Sequence, residues 1–209
     1  MGDRGSKSGL DNERPGTTRN SIAPFFEDEA VSWIQIKMGV SEEEAQDTFS
    51  ALKAYFEDAT AVHNRADRES EKKIERFLTS PNVPVYVGET YRGVSLNPTE
   101  TQSAKERIES IIKKGVWTEP GITSFTSDRG QPLNFADHYG RREDAVPVLL
   151  VNEHNRSGVP VGHLSQAYQQ REVLYPSRVA RKGFKILEHE VVKMRSGKDL
   201  YVLKISEKR

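Results

Sequence analysis

Between residues 24 and 80 the apolar side chains recur every three or four positions, the interval at which an α-helix returns to the same face. The first run, 24–38, carries Phe26, Ala30, Trp33, Ile34 and Met38, with Pro24 at its start and Gly39 at its stop. Ser41 and Glu44 have capping-box spacing, so a second helix is expected there with the stripe Ala45, Phe49, Leu52, Phe56 and Ala59. A third helix, roughly 66–79, has a polar face and a short stripe of Ile74, Phe77 and Leu78. Residues 21–80 therefore read as a small helical segment whose aromatics pack and which contains no obvious chemistry.

The pattern changes at Pro81. Residues 84–96 are rich in β-branched and aromatic side chains and predict a strand or two. A helix follows from about Thr99 to Lys114, with Ala104, Ile108, Ile111 and Ile112 on one face and Gly115 ending it. Further strands are expected at 121–127, 146–151, 171–175, 183–192 and 200–205. One helix followed by many strands indicates an α+β domain over 81–209 with sheet packed on sheet, not alternating βαβ units. The polar stretch 128–144 predicts a functional loop or a short helix.

Composition narrows the class. No run is long enough for a membrane-spanning helix or a secretory signal, so a cytoplasmic protein without membrane association is expected. Residues 1–20 are polar and rich in Gly and charge, the signature of a disordered leader. With no cysteine there is no disulfide framework and no thiolate nucleophile. The net charge of zero is unevenly spread: 11 Lys/Arg against 16 Asp/Glu in residues 1–80, and 20 against 15 in 81–209. The basic surplus of the second part either faces an anion, such as a dinucleotide or a nucleic acid, or attracts the acidic first part.

Three short segments carry candidate chemistry. Tyr91-Arg92-Gly93 closes an apolar strand pattern, and alone its arginine reads as a surface guanidinium. Thr123-Ser124-Phe125-Thr126-Ser127 is a hydroxyl-rich strand, and alone it is ordinary strand composition. Gln170-Arg171-Glu172 leads into Val173-Leu174-Tyr175-Pro176, where a lone glutamate would be solvated.

In this order the three resemble the arginine–serine–glutamate class of mono-ADP-ribosyltransferases. TYRGVS, SFTSDRGQPLNFA and QREVLYPS resemble the small transferases of bacteriophages and bacterial toxins. The resemblance covers roughly 84–206 and implies an ADP-ribosyltransferase-like two-sheet β core with flanking helices. It implies an enzyme that cleaves NAD, its co-substrate, without a metal, and transfers ADP-ribose to a macromolecular acceptor. Glu172 then matches the catalytic glutamate beside the ribose, and Ser124 the hydroxyl that holds it. Arg92 matches the arginine that pairs with the NAD phosphates, a task suited to its bidentate, always-charged fork. Gly93 would let backbone approach the nicotinamide amide, with Tyr91 beside it in the NAD-binding set.

Gln170 refines the implied acceptor. Arginine-modifying relatives have glutamate there, whereas glutamine resembles the asparagine-modifying exoenzymes and the guanine-modifying toxins. An amide hydrogen-bonds but is no base at neutral pH, so a protein side chain other than arginine is expected, with a nucleobase of RNA or DNA as the alternative. In an extended strand Gln170 would share the side of Glu172. The recognition-loop aromatic of those relatives is Ala167 here, with Tyr168 one residue closer. Tyr168 or Tyr175 would stack on a base in the nucleic-acid reading. Phe135, His138 and Tyr139 either stack on NAD or, for Phe135, pack a short helix. His63 and His163 have no partner recognisable in the sequence, and His189 is expected to be solvated or satisfied by a hydrogen bond. A phage effector, a toxin with an inhibitory antitoxin partner, a housekeeping modifier and a degenerate NAD-binding module all remain open.

Overall fold

The fold is taken from a computed structural model, which describes residues 26–63, 67–133, 136, 143–165 and 171–208. The apolar stripes become helices where the periodicity places them: α1 (Glu27–Met38), α2 (Glu42–Glu57) and α4 (Arg68–Leu78). Gly39, at φ 67, ends α1 in the left-handed conformation that a glycine adopts without Cβ strain. Ser41 caps α2 by accepting from the Glu44 amide at 3.2 Å, but the Glu44 carboxylate pairs with Arg76 of α4 and does not complete a capping box. The core face of α2 carries Tyr55, while Phe56 is only partly buried. A short helix, α3 (Ala59–His63), lies between α2 and α4, where the periodicity predicts none.

The remainder builds β1 (Thr90–Leu96), α5 (Ala104–Lys114), β2 (Val116–Trp117), β3 (Thr123–Thr126), β4 (Val146–Asn152), β5 (Val159–Pro160), β6 (Glu172–Tyr175), α6 (Ser177–Lys182), β7 (Phe184–Lys193) and β8 (Asp199–Glu207). Helix α5 starts later than predicted because Ser103 and Glu106 form the complete capping box, and Gly115 ends it as expected. The strands form one eight-stranded ladder, β2-β7-β8-β4-β1-β3-β6-β5. The expected two sheets are its two halves: β1 meets β4 along its whole length but meets β3 at a single pair, Tyr91 with Thr126.

Two apolar clusters hold the sheet. Val173 and Tyr175 join Phe125, Leu150, Phe184 and Leu203 in one, while Leu174, between them on β6, joins Ile122 and the helical residues Ile34, Leu52 and Phe77 in the other. Period-two alternation on β6 thus faces the helices on one side and the sheet core on the other. Polar contacts reinforce that docking: Glu75 of α4 accepts from the Ser177 amide and hydroxyl at 2.7 and 2.9 Å, and Arg181 donates to Glu71 at 3.0 Å.

Candidate active site

The seam between the half-sheets brings the separated motifs together. Thr126 pairs with Tyr91 on one side and with Glu172 on the other, so β1, β3 and β6 share one cross-strand row. Ser124, opposite Leu174, is a diagonal neighbour of Glu172 on the same face. Burial raises the Glu172 carboxyl above its ordinary value, and the Ser124 hydroxyl bond and the Arg92 charge draw it part of the way back. Some solvent contact remains at Glu172, so the group is shielded but reachable.

The backbone delivers Glu172 through a sharp bend. Arg171 has φ 47, an unusual conformation for a residue with a side chain. Its carbonyl accepts from the Ser127 amide at 3.0 Å and the Ser127 hydroxyl at 3.3 Å, which pin the bend. β6 begins at Glu172, one residue later than the strand expected at 171–175, and the left-handed Arg171 precedes it. Gln170, Tyr168, Ala167, Phe135, His138, Tyr139 and the leader 1–20 lie outside the described residues.

Arg92 is held from behind. Its Nε donates to Glu119 Oε1 at 3.2 Å and its Nη1 to the Ser124 carbonyl at 2.7 Å. Among the described residues these bonds occupy two of the five N–H donors of the guanidinium, and the other three are the ones a ligand could use. Glu119 is 9% exposed and also accepts from Trp117 Nε1 at 2.9 Å, while His63 Nε2 lies 3.4 Å from its Oε2. Burial pushes the Glu119 carboxyl up, but the Arg92 charge with the His63 and Trp117 contacts outweighs it and holds the group at about 2.

The helical segment, which shows no obvious chemistry in the sequence, also reaches these residues. Tyr55 is buried within electrostatic reach of Glu172, Arg92 and Glu119. His63 Nδ1 lies 3.0 Å from the Ile122 carbonyl, so the partner unrecognised in the sequence is the turn before β3. Gly121 permits that approach: a Cβ there would lie 2.4 Å from the His63 carbonyl oxygen. Neither Glu119 nor His63 stands in a recognisable motif. The one local hint is the Trp117-x-Glu119 spacing just after α5.

Several other residues take structural places. A Cβ on Gly93 would sit 1.9 Å from the Pro132 carbonyl oxygen, so the protein's own backbone demands this glycine. Tyr91 is 6% exposed, its hydroxyl bonds Glu89, and burial together with that carboxylate pushes its ionisation up to about 12. Tyr175 cannot stack on a base: it is fully buried, and its hydroxyl meets Thr90 Oγ1 at 2.7 Å and Asn152 Nδ2 at 2.9 Å. His163 is half-buried edge-on against Trp33 with ring centroids 4.7 Å apart, whereas His189 is exposed on β7.

A guanidinium with free donors suits phosphate oxygens. A shielded carboxylate a short distance away suits a centre that becomes positive during reaction. Among the described residues, no cluster of three or more His, Asp or Glu side chains is placed to hold a metal ion, and no helix is long and apolar enough to cross a membrane.

No family model and no curated protein matches the sequence. Solved structures do match the fold. The Vis toxin, an ADP-ribosyltransferase from Vibrio splendidus, superposes with a TM-score of 0.58 at 16% identity, covering 88% of this chain and 83% of that one. An ADP-ribosyltransferase from Clostridium botulinum gives 0.53 at 18% identity, covering 86% and 95%. Exoenzyme S from Pseudomonas aeruginosa, solved bound to carba-NAD, gives 0.51 at 16% identity, covering 85% and 80%. The chain has the fold of bacterial ADP-ribosyltransferase toxins, as the motif order implies.

Proposed function

We propose that this protein is a mono-ADP-ribosyltransferase that cleaves NAD, releases nicotinamide and transfers ADP-ribose to a macromolecular acceptor. The observation that carries the reading is the meeting of Arg92, Ser124 and Glu172 at the β1–β3–β6 seam, on a fold shared with such transferases. In this reading residues 81–209 form the catalytic domain, and the helices of 21–80 flank the NAD cleft through Tyr55 and His63.

Arg92 holds the phosphates with the donors it has left. Ser124 fixes Glu172, and Glu172 stabilises the positive charge that grows on the ribose as the bond from C1′ to the nicotinamide nitrogen breaks. The bonding pair leaves with nicotinamide, which departs neutral. An acceptor nitrogen then bonds to C1′ and gives up its proton to water. Glu172 accelerates the reaction because its interaction strengthens toward the transition state. No step calls for a metal.

The acceptor reading rests on the amide of Gln170, which favours a protein side chain other than arginine. The basic surplus of residues 81–209 favours a nucleobase in RNA or DNA, although Tyr175 is unavailable for stacking. Incubation with labelled NAD and a cell lysate, followed by separate protease and nuclease digestion, tests both. Label lost only to protease supports the protein acceptor, and label lost only to nuclease replaces it with nucleic acid. Absence of both transfer and nicotinamide release would leave a degenerate NAD-binding module.

A further inference from the structure

We propose that Glu119 is a positioning residue of the NAD site, whose buried carboxylate orients Arg92 and ties that orientation to the helical segment through His63. The proposal builds on the reading of Arg92 as the phosphate-holding group. Glu119 is 9% exposed, and a carboxylate so far from water is tolerated only when its oxygens are satisfied. Its partners come from three elements: Arg92 on β1, Trp117 on β2 and His63 at the end of α3.

What Glu119 engages is the Nε–H edge of Arg92, while the Ser124 carbonyl takes an Nη1 hydrogen. Two bonds at different nitrogens fix the plane of the guanidinium and turn its unused donors one way. A side chain ordered in advance loses less freedom when its ligand arrives, which favours binding. The link to the helices is rigid as well. His63 is clasped between Glu119 and the Ile122 carbonyl, and Gly121 packs against the Val62 and His63 carbonyls. A shift of α3 therefore removes one of the partners that hold the Glu119 carboxylate.

A simple charge argument predicts the opposite sign. A negative carboxylate behind an anion-binding arginine should repel a dinucleotide, so removing the charge would tighten NAD binding and moving it would matter little. Positioning instead depends on the reach of the side chain. Glu119→Gln keeps the reach and an acceptor oxygen for Arg92 and Trp117 but loses the charge. Glu119→Asp keeps the charge and withdraws it by one methylene.

The test measures NAD affinity by calorimetry, thermal melting, and the NMR resonance of the Arg92 Nε–H for wild type, both Glu119 variants, Arg92→Lys and the Arg92→Lys/Glu119→Asp double variant. Glu119→Gln should bind NAD within about threefold of wild type and keep the Nε–H resonance. Glu119→Asp should bind about tenfold more weakly, about 1.4 kcal/mol, and broaden that resonance. In the Arg92→Lys background the Asp change should cost less than about twofold, because the group it orients is gone. Wild-type affinity in Glu119→Asp, weaker binding by Gln than by Asp, or a full Asp effect in the Arg92→Lys background would each overturn the proposal. Unchanged affinity in Arg92→Lys alone would overturn the phosphate reading beneath it. If Glu119→Asp does not fold, Trp117→Phe serves, with about threefold weaker binding expected and unchanged binding contradicting the proposal.

Discussion

Replacing Gly93 by alanine should destabilise the protein even when no NAD is present. The new methyl carbon would lie 1.9 Å from the Pro132 carbonyl oxygen, 2.9 Å from its carbon and 3.0 Å from the Ala136 nitrogen. All three are backbone atoms, so no side-chain rotation can clear the space, and either β1 or the segment after β3 must move. Overpacking of this kind costs about 1–3 kcal/mol, and the severity of the contact puts Gly93→Ala at the upper end. The lower entropy of the unfolded alanine chain returns about 0.4–1 kcal/mol. The net loss is about 2 kcal/mol, which for a chain of this length lowers Tm by about 4–8 °C. Thermal unfolding followed by circular dichroism without ligand reads this directly. Gly39→Ala separates space from backbone strain: Gly39 has φ 67 and open surroundings, so its loss should be about 1 kcal/mol with NAD affinity unchanged. A Gly93→Ala protein that melts with the wild type would refute the steric account and return Gly93 to a purely ligand-facing role.

Further outcomes follow from the same geometry. Tyr175→Phe should cost about 2–4 kcal/mol in a denaturant titration, because Thr90 and Asn152 each lose a buried partner; an unchanged midpoint would contradict that pairing. Glu119 is held at about 2 against an ordinary value of 4.5, so its contribution, on the order of 3 kcal/mol, is present above the unfolded value and lost as pH falls through about 2. Glu119→Gln should accordingly flatten the stability–pH curve across that window. Glu172 is shifted the other way, so NAD cleavage should fall on acidification at a pH above the ordinary 4.5, and a limb at or below that value would show that burial does not control the group. Gln170→Glu should leave acceptor-free NAD hydrolysis within about an order of magnitude while transfer drops much further; equal losses would assign Gln170 to NAD cleavage.

Features legible in the sequence are those encoded by local repetition. The stripes of α1, α2 and α4 stand out because each faces one core, and Gly39 and Gly115 mark ends that need a left-handed residue. Helix α3 is too short to show a period, and Phe56 masks Tyr55 as the buried ring because the two are adjacent on the same apolar arc. Ser103 and Glu106 carry a readable capping box that sets the start of α5 after the polar run 99–102, just where its apolar stripe begins at Ala104.

The candidate site divides in the same way. Arg92, Ser124 and Glu172 each sit in a short local pattern, and their order along the chain is what carries the resemblance. Glu119 and His63 lie 56 positions apart and meet only through the docking of α3 on the turn before β3, a contact no spacing announces. Gly93 illustrates a further limit: its smallness is readable, but whether ligand or protein backbone fills the space is a tertiary fact. The bend at Arg171 is hidden likewise, since arginine is no usual signal for a left-handed residue and Ser127, which holds it, lies just past the end of β3.

The central claim is that Glu172 at the β1–β3–β6 seam drives cleavage of NAD. Its most direct test is the rate of nicotinamide release from labelled NAD by the purified wild-type protein and by Glu172→Gln, with NAD affinity measured on both. The account predicts release by the wild type. It predicts a fall of at least about 100-fold in Glu172→Gln, roughly 3 kcal/mol of transition-state stabilisation, with NAD affinity and melting temperature nearly unchanged. Retention of most of the wild-type rate in a folded Glu172→Gln protein would contradict it.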